Sequence, residues 1–381
     1  MLAGAEPHLS IREQIAASSN RAAFAALRVG LVGPLAPPAG GMANQTRQLS
    51  ELLGAAGAHV ELVQTNRPYV PAWAGRLPGL RALFRLLPYL ATLWRTAGRV
   101  ELLHLMANSG WAWHLFSVPA IWIAWLRGVP VLVNYRGGEA GPFLERSAPW
   151  VRATMKRASL LVVPTRFLHQ VFSQHSMQAV VLPNIVDVER FRPRPERHAL
   201  GAHVVVTRNL EPLYDNSTAL HAFALLLQAR PDARMTIAGS GPQEAGLRAL
   251  AERLGVSGQL RFAGRLDREA VAQLLLSADI SLNPSLADNM PNSVLEAMAA
   301  GVPVVSTDVG GVPFIVQHER TALLVRPRDP VAMAQAMVRL LDDPQLWTRL
   351  ADAGLTEVQA YTWKAIAPAL DGLYRQLVRS A

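Results

Sequence analysis

Asp288 and Glu296 are separated by seven residues, and the stretch between them, Asn289-Met290-Pro291-Asn292-Ser293-Val294-Leu295, reads as the start of a helix. Pro291 suits the first helical position, where its missing N–H would have no partner anyway. The amides of Asn292, Ser293 and Val294 would then point out of the helix N-terminus, a favourable place for a phosphate. One carboxylate precedes that anion site and the other lies further along the helix. This arrangement suits a ligand with a diphosphate in its middle and hydroxyls at both ends, such as a nucleotide sugar. The flanking Ala297 and Met298 mark the Glu296 face as buried. A buried carboxylate without a partner is costly, so a ligand or an arginine is expected beside it.

Other residues offer complementary chemistry. Arg208 follows the strand-like run Val204–Thr207, and its fork of donors suits a phosphate. The run ending at Val32-Gly33-Pro34 leads through Gly40-Gly41 into a helix near Asn44; glycines there let backbone approach a ligand closely. The spacing is not Gly-x-Gly-x-x-Gly, which argues against a nicotinamide enzyme. Arg136, after the run Val129–Val133, cannot serve as a base. It is left to stabilise a departing phosphate or to hold an acidic acceptor. His104 ends a strand and reads as a packed core histidine. No Asp-x-Asp loop occurs, and Asp342-Asp343 beside Pro344 reads as a turn; neither a metal site nor a cofactor is expected.

The elements around these residues alternate. Apolar runs at Leu27–Val32, Val60–Val63, Leu102–Leu105, Val129–Val133, Leu160–Val163 and Val180–Leu182 read as buried strands with helical segments between them. A second series comprises Val204–Thr207, Met235–Ala238, Gln259–Phe262, Ile280–Leu282, Val302–Val305 and Ala322–Val325. This is the βαβ signature of a parallel sheet covered on both faces. The Pro- and charge-rich stretch 191–197 reads as a linker. The expected organisation is a leader at 1–25, a first α/β domain at 26–190, a second at 200–360, and a C-terminal helix at 361–381 packing back on the first. Both domains are expected to be doubly wound and Rossmann-like, facing across a cleft.

At 381 residues, with 50% hydrophobic and 17% charged residues, the composition is that of a globular two-domain chain. There is no cysteine, so disulfides and thiolate metal sites are excluded; a cytoplasmic location, with no signal peptide, is expected. The net charge of +9 calls for an acidic partner, yet the basic residues are spread along the chain, which argues against nucleic acid. No acid occurs between Glu61 and Glu101, while residues 76–99 carry five arginines beside Leu80, Leu83, Phe84 and Leu87. That profile fits either a peripheral contact with the anionic inner face of a membrane or an ordinary amphipathic helix whose apolar face covers the sheet and whose arginines are solvated. Trp111–Leu126 is too short and too interrupted to span a bilayer and is expected to form a buried helix.

Taken together, residues 26–380 resemble a family-4 (group 1) retaining glycosyltransferase of the GT-B fold. The motif Asp288-x7-Glu296 followed by Ala-Met-Ala-x-Gly-x-Pro-Val-Val carries most of the resemblance. Leu182-Pro183-Asn184-Ile185-Val186-Asp187, Ile237-Ala238-Gly239-Ser240-Gly241-Pro242 and Phe262-Ala263-Gly264-Arg265 support it by order and spacing. The resemblance implies a UDP- or GDP-sugar donor and a glycan or lipid-linked acceptor in surface polysaccharide assembly. It implies catalytic roles for Asp288 and Arg208; many relatives place a His near the position of Arg136, which is expected here to act on the departing phosphate instead. Donor contacts are implied for Gly40, Gly41, Tyr214, Gly239, Arg265, Asn289, Met290, Pro291, Asn292, Ser293 and Glu296. Glu296 would hold the ribose hydroxyls. The chain departs from the family in having Asp rather than Glu at 288, and Tyr214-Asp215-Asn216 where a Lys-Gly pair is usual. Arg265 or Tyr214 is left to make good the missing cation. The alternative is a non-catalytic GT-B scaffold or sensor.

Overall fold

The computed structural model describes residues 24–37, 40–69, 73, 81–193 and 201–380, with 81–83 as backbone only. The expected leader at 1–25 and the linker at 191–197 lie mostly outside these residues. The chain divides into two compact units. Met1–Val163, Phe172–Leu182 and Ile366–Ala381 form the first; Pro164–Val171 and Pro183–Ala365 form the second.

In the first unit, β1 (Arg28–Gly33), β2 (His59–Gln64), β3 (Leu102–Ala107), β4 (Val131–Tyr135), β5 (Leu160–Val163) and β6 (Val180–Val181) make one parallel sheet, ordered β2-β1-β3-β4-β5-β6. Every residue of β3 and β4 is buried, as expected of central parallel strands covered on both faces. The connections include α1 (Gly41–Ala55), α2 (Arg81–Ala97), α3 (Val118–Leu126), α4 (Ala140–Met155) and α5 (Arg166–Gln174). The division between units falls inside α5, a return of the chain that no composition shift marks.

In the second unit, β7 (His203–Val206), β8 (Arg234–Ala238), β9 (Leu260–Gly264), β10 (Ile280–Asn283), β11 (Val304–Thr307) and β12 (Leu323–Val325) pair in parallel, ordered β9-β8-β7-β10-β11-β12. Alternation along β7 assigns its side chains to two cores. Val204 and Val206 pack with Phe223 of α6 (Asn216–Ala229) and Met333 and Met337 of α10 (Pro330–Asp342). Val205 packs with Val294 and Leu295 of α9 (Asn292–Ala299). Burying each such side chain is worth about 1.5–3 kcal/mol. Between these helices in sequence lie α7 (Glu244–Arg253) and α8 (Arg268–Leu276); α11 (Pro344–Glu357) and α12 (Trp363–Arg379) follow.

All twelve expected strands are present, shifted by one or two residues at their ends. Residues 111–126 are helical as expected, but their expected burial needs correction. A π-turn at Trp113–Ser117 precedes α3, and Trp111, Trp125 and Leu126 are 79%, 51% and 62% exposed. Only one face of α3 packs inward, through Ala120, Ile121 and Ala124. Among the described residues, no helix is long and apolar enough to cross a membrane.

The pair Asp342-Asp343 has a structural use. Asp343 caps α11, its Oδ1 accepting from Gln345 N at 3.0 Å and Leu346 N at 2.9 Å. Asp343→Ala is expected to cost about 1 kcal/mol, read as a lowered midpoint at unchanged slope in urea unfolding.

Candidate functional site

In open parallel sheets, ligands gather beyond the carboxyl ends of the strands where the strand order reverses. In the second unit that point lies between β7 and β10. Arg208, just past β7, and Asp288, in the loop after β10, meet there. Arg208 Nη2 donates to Asp288 Oδ2 at 2.5 Å, and Nη1 donates to Ser293 Oγ at 3.1 Å. The guanidinium also lies 4.0 Å over the Tyr214 ring, a cation–π contact that strengthens out of water. Both charged side chains are nearly buried, at 10% and 13% exposure. Burial pushes the Asp288 carboxyl up from its ordinary value, while Arg208, Ser285 and the Asn289 N–H oppose that shift. Arg208 Nε is buried and has no acceptor among the described residues.

Glu296 lies on the first turns of α9, and its carboxylate accepts no hydrogen bond among the described residues. Burial pushes it up to about 7, against the opposing pull of Arg268, Arg208 and Arg190. Two of those cations are shared with Asp187, which lies 3.6 Å from Arg190 and 3.7 Å from Arg268. The carboxylate is therefore surrounded by positive charge without being paired to it.

Close backbone packing positions these groups. A Cβ on Gly311 would fall 1.8 Å from the Asn289 carbonyl oxygen, and the Gly311 N–H donates to Asp288 O at 2.8 Å. A Cβ on Gly239 would fall 2.1 Å from the Arg208 carbonyl oxygen. Gly239 thus serves by letting the Arg208 loop come close. Asn184 bridges the loop before α9, its Nδ2 donating to Met290 O at 2.9 Å and Asn292 Oδ1 at 3.0 Å.

Three expectations change. Pro291 is the N-cap, not the first helical residue; its backbone is extended (ψ 118°), and its carbonyl accepts from Val294 N at 3.1 Å. The Val294 amide is therefore not offered to a ligand. Met290 is 5% exposed and packed in the core with Val186 and Phe191, so its side chain is spent on packing. Arg265 is exposed at the end of β9, whereas Tyr214 stands in the centre against Arg208. Arg208, Tyr214, Asp288 and Ser293 are brought together; Asn289, at 4% exposure, turns its carbonyl to Gly311. Sequence reasoning missed the roles of Asn184 and Gly311, although the doubled glycine Gly310-Gly311 signalled a close approach.

In the first unit the strand order reverses between β1 and β3. The loop after β1 is splinted by Asn66, which accepts from Leu35 N at 2.8 Å and donates to Leu35 O at 2.7 Å. Gly40 and Gly41 follow, and a Cβ on either would meet nothing within 4 Å among the described residues. Arg136, just past β4, donates through Nε to Asn134 Oδ1 at 3.1 Å. Burial pushes Arg136 down to about 9, leaving it charged at neutral pH. Among the described residues no cluster of three or more metal-ligating side chains occurs.

The Glu296 environment yields a pH prediction. The folded chain keeps this carboxyl protonated up to about pH 7, whereas its ordinary value is 4.5. The folded state binds the extra proton between those limits, so stability falls as pH rises through that window. Glu296→Gln removes this slope. Urea unfolding from pH 4.5 to pH 7 is expected to show the variant gaining stability relative to the parent as pH rises. A constant difference would contradict it.

Comparison with known proteins follows the same division of the chain. The family model described as Glycosyltransferase Family 4 matches residues 39–190, and the one described as Glycosyl transferases group 1 matches residues 202–343. A D-inositol 3-phosphate glycosyltransferase from Streptomyces avermitilis is 32% identical over 214 residues, 51% of this chain and 46% of that protein. The chain thus matches about half the length of such curated relatives. Among solved structures, a sucrose-phosphate synthase from Thermosynechococcus elongatus aligns with a TM-score of 0.76 at 23% identity, covering 93% of this chain and 100% of that one. Anabaena HepE in complex with UDP-glucose aligns at 0.68 and 18% identity, covering 93% and 100%.

Proposed function

The chain belongs to the group 1 glycosyl transferases and has their GT-B fold, and from that premise we propose that it moves a hexosyl group from a nucleotide diphosphate sugar to a hydroxyl acceptor, with retention at the anomeric carbon. The observation that carries the reading is the junction of Arg208, Asp288 and Ser293 where the second sheet reverses its strand order. Arg208 meets the diphosphate, its buried Nε–H finding there the acceptor that the described residues do not supply. Asp288 faces the donor sugar, and Glu296 accepts the ribose hydroxyls.

In the reaction the bond from the anomeric carbon to the terminal phosphate oxygen breaks. The acceptor oxygen bonds to that carbon on the same face, and its proton passes to the departing phosphate. The protein supplies no nucleophile. Its part is to stabilise charge building on the leaving diphosphate, chiefly through Arg208 in a site poor in water. UDP-glucose is the first donor to try, because HepE is described in complex with it; GDP-sugars are the second.

For the acceptor, we assign a lipid-linked hydroxyl in surface polysaccharide assembly. Support comes from the exposed Leu87, Trp94, Trp125 and Leu126, with Arg127 4.9 Å over Trp94 and Arg157 5.4 Å over Trp125. This deepens the membrane contact expected at 76–99, of which residues 76–80 lie outside the described chain. The name of the Streptomyces relative favours a second reading, a phosphorylated polyol as acceptor.

The test is a panel of UDP- and GDP-sugars, with and without polyprenyl-linked and inositol phosphate acceptors, read as donor consumption and as thermal protection. Protection and turnover with at least one donor are expected; neither with any donor would leave the scaffold reading standing. Cosedimentation with anionic vesicles checks the lipid assignment. With the active donor, Arg208→Ala is expected to lower kcat on the order of 100-fold or more.

A separate prediction concerns the loop before α1. Protein packing does not require glycine at position 41, so Gly41→Ala should leave stability unchanged or raise it by up to about 1 kcal/mol. If the donor approaches that backbone, its affinity falls in the same variant. Unchanged donor affinity would remove Gly41 from the site.

A further inference from the structure

Four side chains of the first unit form one continuous line of hydrogen bonds. Arg136 Nε donates to Asn134 Oδ1 at 3.1 Å, Asn134 Nδ2 lies 3.0 Å from His104 Nε2, and His104 Nδ1 lies 2.7 Å from Tyr374 Oη. Asn134, His104 and Tyr374 are each at most 1% exposed, so solvent does not compete for these groups. Tyr374 belongs to α12, whose residues from 366 onward group with the first unit.

The direction of the line is fixed from one end. Arginine has donors only, so Asn134 must turn its oxygen towards Arg136 and its amide NH2 towards His104. His104 Nε2 must then accept, its proton must sit on Nδ1, and Tyr374 Oη must accept that proton. Burial and the nearby Arg136 charge push His104 down to about 3, which keeps the ring neutral. The Tyr374 ring packs edge-on against Phe24 and His104, with centroids 5.9 Å away in each case. A phenylalanine would preserve that packing, so the hydroxyl alone is the variable part.

The other end of the line lies beyond the carboxyl end of β4. There the Arg136 N–H donates to Ala107 O at 2.9 Å. The following residue, Gly137, packs so close to Ser109 that a Cβ would fall 2.2 Å from its Oγ. We propose that Tyr374 is a positioning residue: acting through His104 and Asn134, its hydroxyl fixes the direction in which Arg136 offers its guanidinium to a phosphate of the substrate. The identity of that phosphate, in the donor diphosphate or on the acceptor, rests on the glycosyltransferase reading; the hydrogen-bond line does not. Without the hydroxyl, the His104 Nδ1–H loses its buried acceptor. The ring then moves its proton to Nε2, Asn134 flips to accept it, and the amide NH2 faces the Arg136 Nε–H. Two opposed donors displace the guanidinium.

Tyr374→Phe, Arg136→Ala and their double variant are compared with the parent chain. Nitrogen-15 NMR of the His104 ring is expected to show Nδ1–H alone in the parent and to shift towards Nε2–H in Tyr374→Phe. Affinity for pyrophosphate or for a phosphorylated acceptor should weaken in Tyr374→Phe, and kcat/KM should fall about tenfold or more, as small misplacements of a charge-stabilising group do. The double variant should be no slower than Arg136→Ala alone, which a merely structural role would not produce. A loss that persists in donor hydrolysis without acceptor assigns the phosphate to the donor. A loss confined to the KM of a phosphorylated acceptor assigns it to the acceptor. Asn134→Leu, cutting the line in its middle, should reproduce the kinetic signature, and serves if Tyr374→Phe folds poorly. An unchanged tautomer, additive losses, or unchanged affinity for both pyrophosphate and a phosphorylated acceptor overturn the proposal. A parent chain that turns over no sugar defeats the functional reading instead, and the NMR and binding arms still decide this one.

Discussion

A guanidinium held out of water needs a carboxylate, acceptors and a flat surface within a few ångströms, and in the second unit that demand falls on Arg208. Asp288 and Ser293 engage two arms of its fork and Tyr214 covers its face. Such a pair is stable only if its geometry is held firmly, because the desolvation cost is incurred whether or not the charges meet well. The tight glycine contacts follow from this. Gly239 lets one loop close on the Arg208 carbonyl, and Gly311 lets another close on Asn289 and donate to Asp288. A lysine in place of Arg208 would offer one charged point without a planar fork, and could not satisfy Asp288 and Ser293 while stacking on Tyr214.

The departures from the family pattern form a consistent set around this cation. In the region where the resemblance leads one to expect Lys-Gly, the chain has Tyr214-Asp215-Asn216. Asp215 adopts φ 40° and ψ 48°, a left-handed conformation that normally favours glycine. Its carboxylate is held by Ser217 Oγ and Thr218 Oγ1, each at 2.6 Å, as it caps α6. The backbone shape that glycine would allow is thus retained by side-chain capping. Tyr214 then turns its ring to Arg208 rather than adding a second charge. Arg265, the other candidate to replace the missing cation, is exposed and not part of this cluster.

The fold was legible because its central strands are short, apolar and fully buried, so that sequence runs such as Leu102–Leu105 and Val129–Val133 have no alternative use. The acidic pair at 288 and 296 was legible for a similar reason: two carboxylates in an apolar setting demand partners. What sequence hid depends on distances between remote backbone segments. Asn184 reaches residues more than a hundred positions away, and nothing in its own neighbourhood signals that. Met290 is a donor contact only by the resemblance, and its side chain turns into the core. Pro291 was placed one residue too far into the helix, since proline fixes φ but leaves ψ to its surroundings. The exposed face of α3 was hidden by composition, because Trp125 and Leu126 are apolar whichever way they point.

Glu296 shows why a site can be electrostatically positive and still leave an acid protonated. Arg190 and Arg268 lie near enough to pull its pKa down, but both also neighbour Asp187. The positive charge is partly answered before it reaches Glu296, and burial prevails, setting the carboxyl at about 7. Hydroxyls that donate to a carboxylate favour its charged form. A ligand bringing a pair of them would therefore draw the proton off near neutrality, coupling occupancy to ionisation. Pairing Glu296 directly with an arginine would have stabilised the empty protein and made the carboxylate less available. Diverting those cations to Asp187 leaves the Glu296 carboxylate without an ion-pair partner among the described residues.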